Sequence, residues 1–349
     1  MALKYRWTIA LIFFAAAGTL LVNACKKTGG SEYRTHPVSF VVPDGFPDPV
    51  YRFEGNPLTE EGFALGRKLF YDGRLSKDNN FPCASCHQQF AAFSTFDHQL
   101  SHGFNNQFTK RNAPGLFNMA WLKEMHWDGG INHIEVQPLA PITAPNEMAE
   151  DIGNIIAKLE QDKTYRDMFR QAFGDENITS QRMLLALTQF VASLVSADSK
   201  YDRMKKGSAV FNESEKEGYR IFQARCASCH AEPLFTDLSF RNTGLELDGY
   251  LKDYGRMGIT NSPADSLKFK TPSLRNVAIT APYGHDGRFT GLSQAIGHYS
   301  GGITPSATLD PSLAGGIPLT DVEIFYLREF LFTLTDSSFI QNERFAAPD

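Results

Sequence analysis

Cysteine is scarce in this chain of 349 residues: there are five, at positions 25, 83, 86, 226 and 229. Four of them fall in two copies of one pentapeptide, Cys83-Ala84-Ser85-Cys86-His87 and Cys226-Ala227-Ser228-Cys229-His230. No pair is left over for a disulfide framework. A second C-x-x-C near either copy is lacking too, which argues against paired-thiolate zinc sites. Positive charge is not in excess. With 34 Lys and Arg against 39 Asp and Glu the net charge is −5, so no basic footprint for nucleic acid exists. The apolar run at residues 9–22 is shorter than a membrane span.

What is present is two C-x-x-C-H motifs, the attachment pattern of c-type haem. Two thiols at this spacing can add across the two vinyl groups of a porphyrin, while the next side chain offers a neutral imidazole to the iron. Cys83, Cys86 and His87 are therefore expected to hold one haem, and Cys226, Cys229 and His230 a second, with His87 and His230 as iron ligands. The competing reading of either copy is a redox or zinc dithiol. The 28 phenylalanines suit pockets that wrap an apolar macrocycle.

The fifth cysteine has its own context. Lys4 and Arg6 precede the apolar run, which ends Val22-Asn23-Ala24-Cys25 and resembles a bacterial lipobox. Residues 1–24 are read as a lipoprotein signal peptide, with lipidation of Cys25 tethering the mature chain to a membrane. An uncleaved anchor helix is the alternative. Either way the body is exported, and c-type haem attachment in bacteria is extracytoplasmic, which places the chain in the periplasm. Residues 25–45 form a flexible tether.

A chain of this length is long enough for two ordinary domains. The expected fold is mainly α, with two cytochrome c-like haem domains at 46–200 and 201–349, long loops and little or no sheet. Helical spacing covers residues 58–71, with Thr59 as N-cap, then 148–173 and 181–195. Ser214 to Glu217 reads as a capping box before the second motif, and Thr320 to Glu323 as another before a last helix through 334. Gly66-Arg67-Lys68-Leu69-Phe70 is echoed by Gly218-Tyr219-Arg220-Ile221-Phe222, which points to duplication of one haem domain.

Trp127, Gln137 and Glu147 lie ten residues apart. Peroxide cleavage needs a base that takes the proton from one oxygen and returns it to the other. Glu147 in a desolvated pocket could do this, Gln137 could orient the peroxide, and Trp127 could couple two porphyrins. The structural alternative is a core tryptophan, a loop amide and an acid at a helix N-terminus.

The two CASCH motifs, Arg111-Asn112-Ala113-Pro114, Trp127-Asp128-Gly129, Gln137, Asn146-Glu147-Met148, Lys270 to Val277 and Pro282 to Gly287 occur in that order. This ordered set resembles the bacterial di-haem cytochrome c peroxidase family, MauG included, over about residues 50–340. The resemblance implies a peroxidatic haem on His87, an electron-accepting haem on His230, and Glu147, Gln137 and Trp127 as distal acid, distal amide and inter-haem tryptophan. It implies a calcium ion held by the Asn112 side chain and the carbonyls of Thr280 and Pro282, oxygen donors of the kind calcium takes. Hydrogen peroxide is the implied substrate. The electron donor would be a small cytochrome c or cupredoxin, or else an oxidisable protein; a homodimer is left open.

Two positions depart from the peroxidase pattern. The loop expected to cap the first haem reads His98-Gln99-Leu100-Ser101-His102, with His102 the closer match and His98 the rival. Where the peroxidases place a methionine on the second iron, this chain has Tyr299, as MauG-like members do, with His298 a competing ligand and Met257 a further one. A phenolate ligand would lower the potential. The expected activity is reduction of peroxide with electrons entering through the His230 haem. The alternatives are a MauG-like oxidase of a protein or organic donor, and a di-haem electron carrier that is not an enzyme.

Overall fold

Thr59 has extended backbone and its side chain accepts the Gly62 amide, which starts helix α1 (Glu60–Phe70) as its sequence requires. A computed structural model describes residues 33–348; the leader at 1–24 and Cys25 lie outside the described residues. Thr35–Asp349 form one compact unit. No helix among the described residues is long and apolar enough to cross a membrane.

The stretch expected as one helix at 148–173 is two, α2 (Ile152–Glu160) and α3 (Lys163–Phe173), because Asp162 leaves the helical region and caps α3 through the Thr164 amide. Helix α4 (Ser180–Ala192) follows, capped by Thr179. Helix α5 (Glu213–Arg225) begins two residues earlier than the Ser214 box implied. Asn212 and Glu215 form the reciprocal cap, and Glu217 pairs instead with Arg220. Asparagine is as good an N-cap as serine, so the upstream box wins. Helix α6 (Leu292–Gly301) carries Tyr299, and α7 (Asp321–Phe332) starts at the expected Thr320–Glu323 box. Two-residue strands β1 (Phe240–Arg241) and β2 (Phe269–Lys270) pair antiparallel, and they are the only sheet among the described residues. The fold is mainly helical, as expected.

One local arrangement occurs twice. In α1, a Cβ on Gly66 would lie 1.9 Å from the Ala186 carbonyl oxygen of α4; in α5, a Cβ on Gly218 would lie 1.9 Å from the Tyr326 carbonyl oxygen of α7. Only glycine permits helices to approach this closely. Beside each contact stands a phenylalanine: Phe190 packs on Phe63 and Phe70 at 5.5 and 5.2 Å, and Phe330 on Phe222 at 4.9 Å. The chain just past each second helix is tied to an asparagine with positive φ from an earlier loop. Asn118 Oδ1 accepts the Ser196 amide, and Asn276 Oδ1 accepts the Asp336 amide. The echo of Gly66 in Gly218 thus corresponds to a repeated packing unit.

The two units bury separate apolar clusters. The first gathers α1, α2, α3 and α4, and the C-terminal Phe339 and Phe345 join it. The second gathers α5, α7, Phe235 and Val277. Under the second, Arg275 is 0 % exposed and bonds both oxygens of Asp202 at 2.8 and 2.9 Å. Its Nε also donates to the Pro233 carbonyl, and its guanidinium stacks 4.8 Å from the Phe46 ring. The loop after Cys229 is therefore pinned by a charge that water cannot reach.

Asp202→Ala leaves that guanidinium buried and unpaired. The expected loss of unfolding free energy is about 3–5 kcal/mol, measured by denaturant titration of the haem-loaded protein. A loss no larger than that of an exposed ion pair would contradict this role.

Candidate functional site

Each C-x-x-C-H is delivered by the first helix of a packing unit. Helix α5 runs directly into Cys226, whereas a loop separates α1 from the one-turn helix Cys83–Cys86. The four thiols are free, and burial pushes those of Cys83 and Cys226 up to about 12, with their partner thiols adding to the shift. Cys83 and Cys226 are therefore neutral thiols, and they sit against the two apolar clusters.

The histidines are aimed by backbone. His87 Nδ1 lies 2.8 Å from the Phe93 carbonyl oxygen. His230 Nδ1 lies 3.2 Å from the carbonyls of both Phe235 and Pro272. In each case one such carbonyl belongs to a fully buried phenylalanine with positive φ, 58° at Phe93 and 54° at Phe235. A non-glycine residue held there costs about 1–3 kcal/mol, and the turn it makes points the carbonyl back at the imidazole. Burial lowers both histidine pKa values. Each ring is thus neutral, protonated on Nδ1, with Nε2 left to ligate a metal.

Two cavities open beside these histidines, of about 570 and 280 Å³. The larger is lined by Cys83, Cys86 and His87, and Gln137, Glu147 and Trp127 line the same space. The smaller is lined by Cys226, Cys229, His230, His298 and Tyr299. Trp127 lines both, as do Asn112 and Lys270. Cations stand among the apolar walls, Arg111 and Lys252 on the larger, Arg225 and Arg241 on the smaller. The buried His285 Nδ1, on the smaller cavity, has no hydrogen-bond partner among the described residues. Neutral thiols, an imidazole with a free Nε2, apolar walls and cationic edges fit two covalently attached porphyrins with acidic side groups.

In the larger cavity, burial raises the Glu147 pKa above the ordinary carboxylate value. Glu147 sits in a turn after the helix Leu139–Thr143 and not at a helix N-terminus, so the dipole reading of this acid falls. The sequence reading missed His126. It stands on the larger cavity with its Nε2 3.5 Å from Gln137 Nε2, in a left-handed turn with φ of 65°. Its only signal was adjacency to Trp127. The loop that bridges Met125 to Ile131 recurs as Tyr283 to Phe289, and the second copy carries glycine where the first carries His126.

Trp127 is fixed on two sides. Its Nε1 donates to the Asn112 carbonyl at 2.9 Å, and its own carbonyl accepts the Lys270 amide at 2.7 Å. Lys270 Nζ bonds the Glu124 carbonyl at 2.6 Å, and burial lowers its pKa to about 8. A desolvated amine therefore lies in the wall between the cavities.

The rival ligands separate by geometry. His102 lines the larger cavity, with Nδ1 2.8 Å from Asn106 Oδ1; His98 is exposed and stacks edge-on to it at 5.3 Å. His298 Nε2 is committed to the Thr243 carbonyl at 2.9 Å. The Tyr299 hydroxyl makes no hydrogen bond among the described residues, and burial raises it to about 12, the Cys226 and Cys229 thiols adding to this. Met257 lies on a short helix and does not line the cavity. Asn112 Nδ2 donates to the Gln99 carbonyl, which leaves Oδ1 unused, and Asn112, Thr280 and Pro282 share one cavity wall.

Residues 60–210 match the family model described as di-haem cytochrome c peroxidase. The chain is 38 % identical to the methylamine utilization protein MauG of Methylophilus methylotrophus, over 74 % of this chain and 77 % of that one. It is 35 % identical to cytochrome c551 peroxidase of Nitrosomonas europaea, over 66 % and 70 %. Among solved structures, a MauG-like protein associated with microbial copper homeostasis superposes with a TM-score of 0.80 at 34 % identity, covering 89 % of this chain and 99 % of the other.

The half-buried Glu147 carboxyl should titrate above the usual carboxylate range near 4. Infrared difference spectra across a pH series should show its C=O stretch persisting to higher pH than that of exposed acids and vanishing in Glu147→Gln. A normal titration would mean that water reaches it.

Proposed function

The chain belongs to the di-haem cytochrome c peroxidase family of oxidoreductases, MauG included, and from that premise we propose that it reduces hydrogen peroxide to water in the His87 cavity, with electrons delivered through the His230 haem. The observation that carries this reading is one cavity holding a half-buried acid, an amide and the histidine that would ligate iron, with Trp127 in the wall it shares with the second cavity.

When bound, the haems supply an iron that takes peroxide and a store of electrons. The rest is done by side chains. Glu147 takes the proton from the near peroxide oxygen and returns it to the far one, which leaves as water. With two electrons and two protons from outside, the products are two waters. Gln137 orients the peroxide, and His126, neutral because burial lowers its pKa, accepts from the Gln137 amide and holds it in place. His102, which lines the larger cavity, would supply a second ligand to the first iron in the resting protein. Trp127, locked by Asn112 and Lys270, couples the two sites. Calcium on Asn112 Oδ1 and the Thr280 and Pro282 carbonyls would brace that wall. Export to the periplasm and a lipid anchor at Cys25 complete the reading, with a small cytochrome or cupredoxin as donor. Two haem domains meeting near residue 200 fit the two packing units.

Tyr299 favours a second reading. A phenolate on the second iron would make reduction by an ordinary donor harder and sharing of oxidising equivalents through Trp127 easier. The donor would then be a protein side chain or organic molecule, as in a MauG-like oxidase.

Glu147→Gln should lower the rate of reaction with peroxide by about 10²–10⁴. The wild-type rate should fall as pH drops through the raised Glu147 pKa, because only the carboxylate accepts the proton. A near-normal rate in the variant removes Glu147 from the reaction. Tyr299→Phe should change the resting spectrum of the His230 haem; an unchanged spectrum would remove the support for the second reading.

A further inference from the structure

We propose that Tyr201, Tyr219 and Glu232 form a redox-active site beside His230 that drains oxidising equivalents from the second haem when no outside donor is bound. The proposal rests on the peroxide reading above.

Glu232 lies two residues beyond His230, and both of its oxygens are occupied by phenols. The Tyr201 hydroxyl donates to Oε2 and the Tyr219 hydroxyl donates to Oε1 at 2.8 Å, with Lys205 Nζ 3.4 Å from Oε2. Tyr201 is 2 % exposed, and its ring lies 4.8 Å from that of Phe235. The Phe235 carbonyl is one of the two that hold His230 Nδ1. A short path therefore runs from the ligating imidazole through Phe235 to Tyr201. Tyr219 stands 6.2 Å further, ring to ring, and is half-buried.

Burial, and then the bond to Glu232, raise both phenol pKa values, so each is neutral with its proton directed at a carboxylate. Both Glu232 oxygens only accept, from the two hydroxyls and from Lys205 Nζ, the pattern of a carboxylate placed to take a proton. The first half has no such device. Two residues beyond His87 stands Gln89, which donates to the Asn342 carbonyl. The trio is therefore not a fixture that the repeated packing unit requires.

In the step, Tyr201 gives one electron to the second haem after peroxide has oxidised it, and the hydroxyl proton passes to Glu232 Oε2. The phenol O–H bond breaks, a carboxyl O–H bond forms, and the haem is reduced by one electron. Without the carboxylate the product would be a buried phenol cation, which an apolar site disfavours. Tyr219 then gives an electron to Tyr201, which recovers its proton from Oε2 while the Tyr219 proton moves to Oε1. The vacancy has moved toward the surface, within reach of a soluble reductant.

The test uses three haem-loaded proteins: wild type, Glu232→Gln and Tyr201→Phe/Tyr219→Phe. Each is mixed with hydrogen peroxide without a donor and freeze-quenched for electron paramagnetic resonance, with optical spectra taken in parallel. A tyrosyl signal is expected in the wild type. It should be lost in the double phenylalanine variant, and also in Glu232→Gln, whose carboxamide keeps the hydrogen-bonding shape but takes no proton. The haem bands should respond to peroxide in all three. If they respond and no tyrosyl signal forms, or if the signal survives in either variant, this proposal falls while the peroxide reading stands. If the wild-type haem bands do not respond at all, the peroxide reading itself falls and takes this one with it.

Discussion

A backbone carbonyl held against an imidazole Nδ1 is the constraint on which both halves of this molecule depend. A free imidazole has two tautomers and can turn about its bonds. The carbonyls of Phe93 and Phe235 remove both freedoms, so that Nε2 alone is presented to the cavity. Each carbonyl reaches its histidine only because a fully buried phenylalanine accepts a left-handed conformation. That local strain is offset by the aromatic clusters around it, Phe190 with Phe70 in one half and Phe330 with Phe222 in the other. The glycine contacts Gly66 to Ala186 and Gly218 to Tyr326 let those clusters close.

From that shared scaffold the halves diverge. The first places Glu147, Gln137 and His126 around the larger cavity. The second places Tyr299 at the smaller one, and puts Glu232 with two tyrosines where the first half has Gln89. The wall between them is built from both: Asn112 and Trp127 from one side, Lys270 and His285 from the other, cross-linked by backbone hydrogen bonds. A repeated packing unit thus presents two different sets of side chains, because the histidine-aiming turns are retained while the residues facing each cavity are not.

Much of this could be read from residues in order. Thr59 and the Thr320–Glu323 box start their helices as spacing required, and the near absence of sheet followed from Gly- and Pro-rich segments between helical runs. Local competition was less legible. Asn212 outbid Ser214 as a cap, and Asp162 divided a run whose periodicity read as continuous. In both cases a short polar side chain bonded the backbone next to it, an outcome decided by fractions of a kcal/mol to about 2 kcal/mol per cap.

The sequence alone settled which side chains could anchor two macrocycles, since C-x-x-C-H is a contiguous motif and its chemistry needs no distant partner. It also settled the family, because an ordered set of short motifs survives in one dimension. Only the folded chain decided which of the rival ligands has its ligating atom free. His298 lies next to Tyr299, yet its Nε2 is spent on the Thr243 carbonyl, 55 residues away in sequence. His126 and Gln137 meet, and Tyr201 meets Glu232, through contacts that span loops and separate helices. Such meetings depend on how whole elements pack. No local spacing encodes them, because the free energy that fixes them belongs to the assembled core.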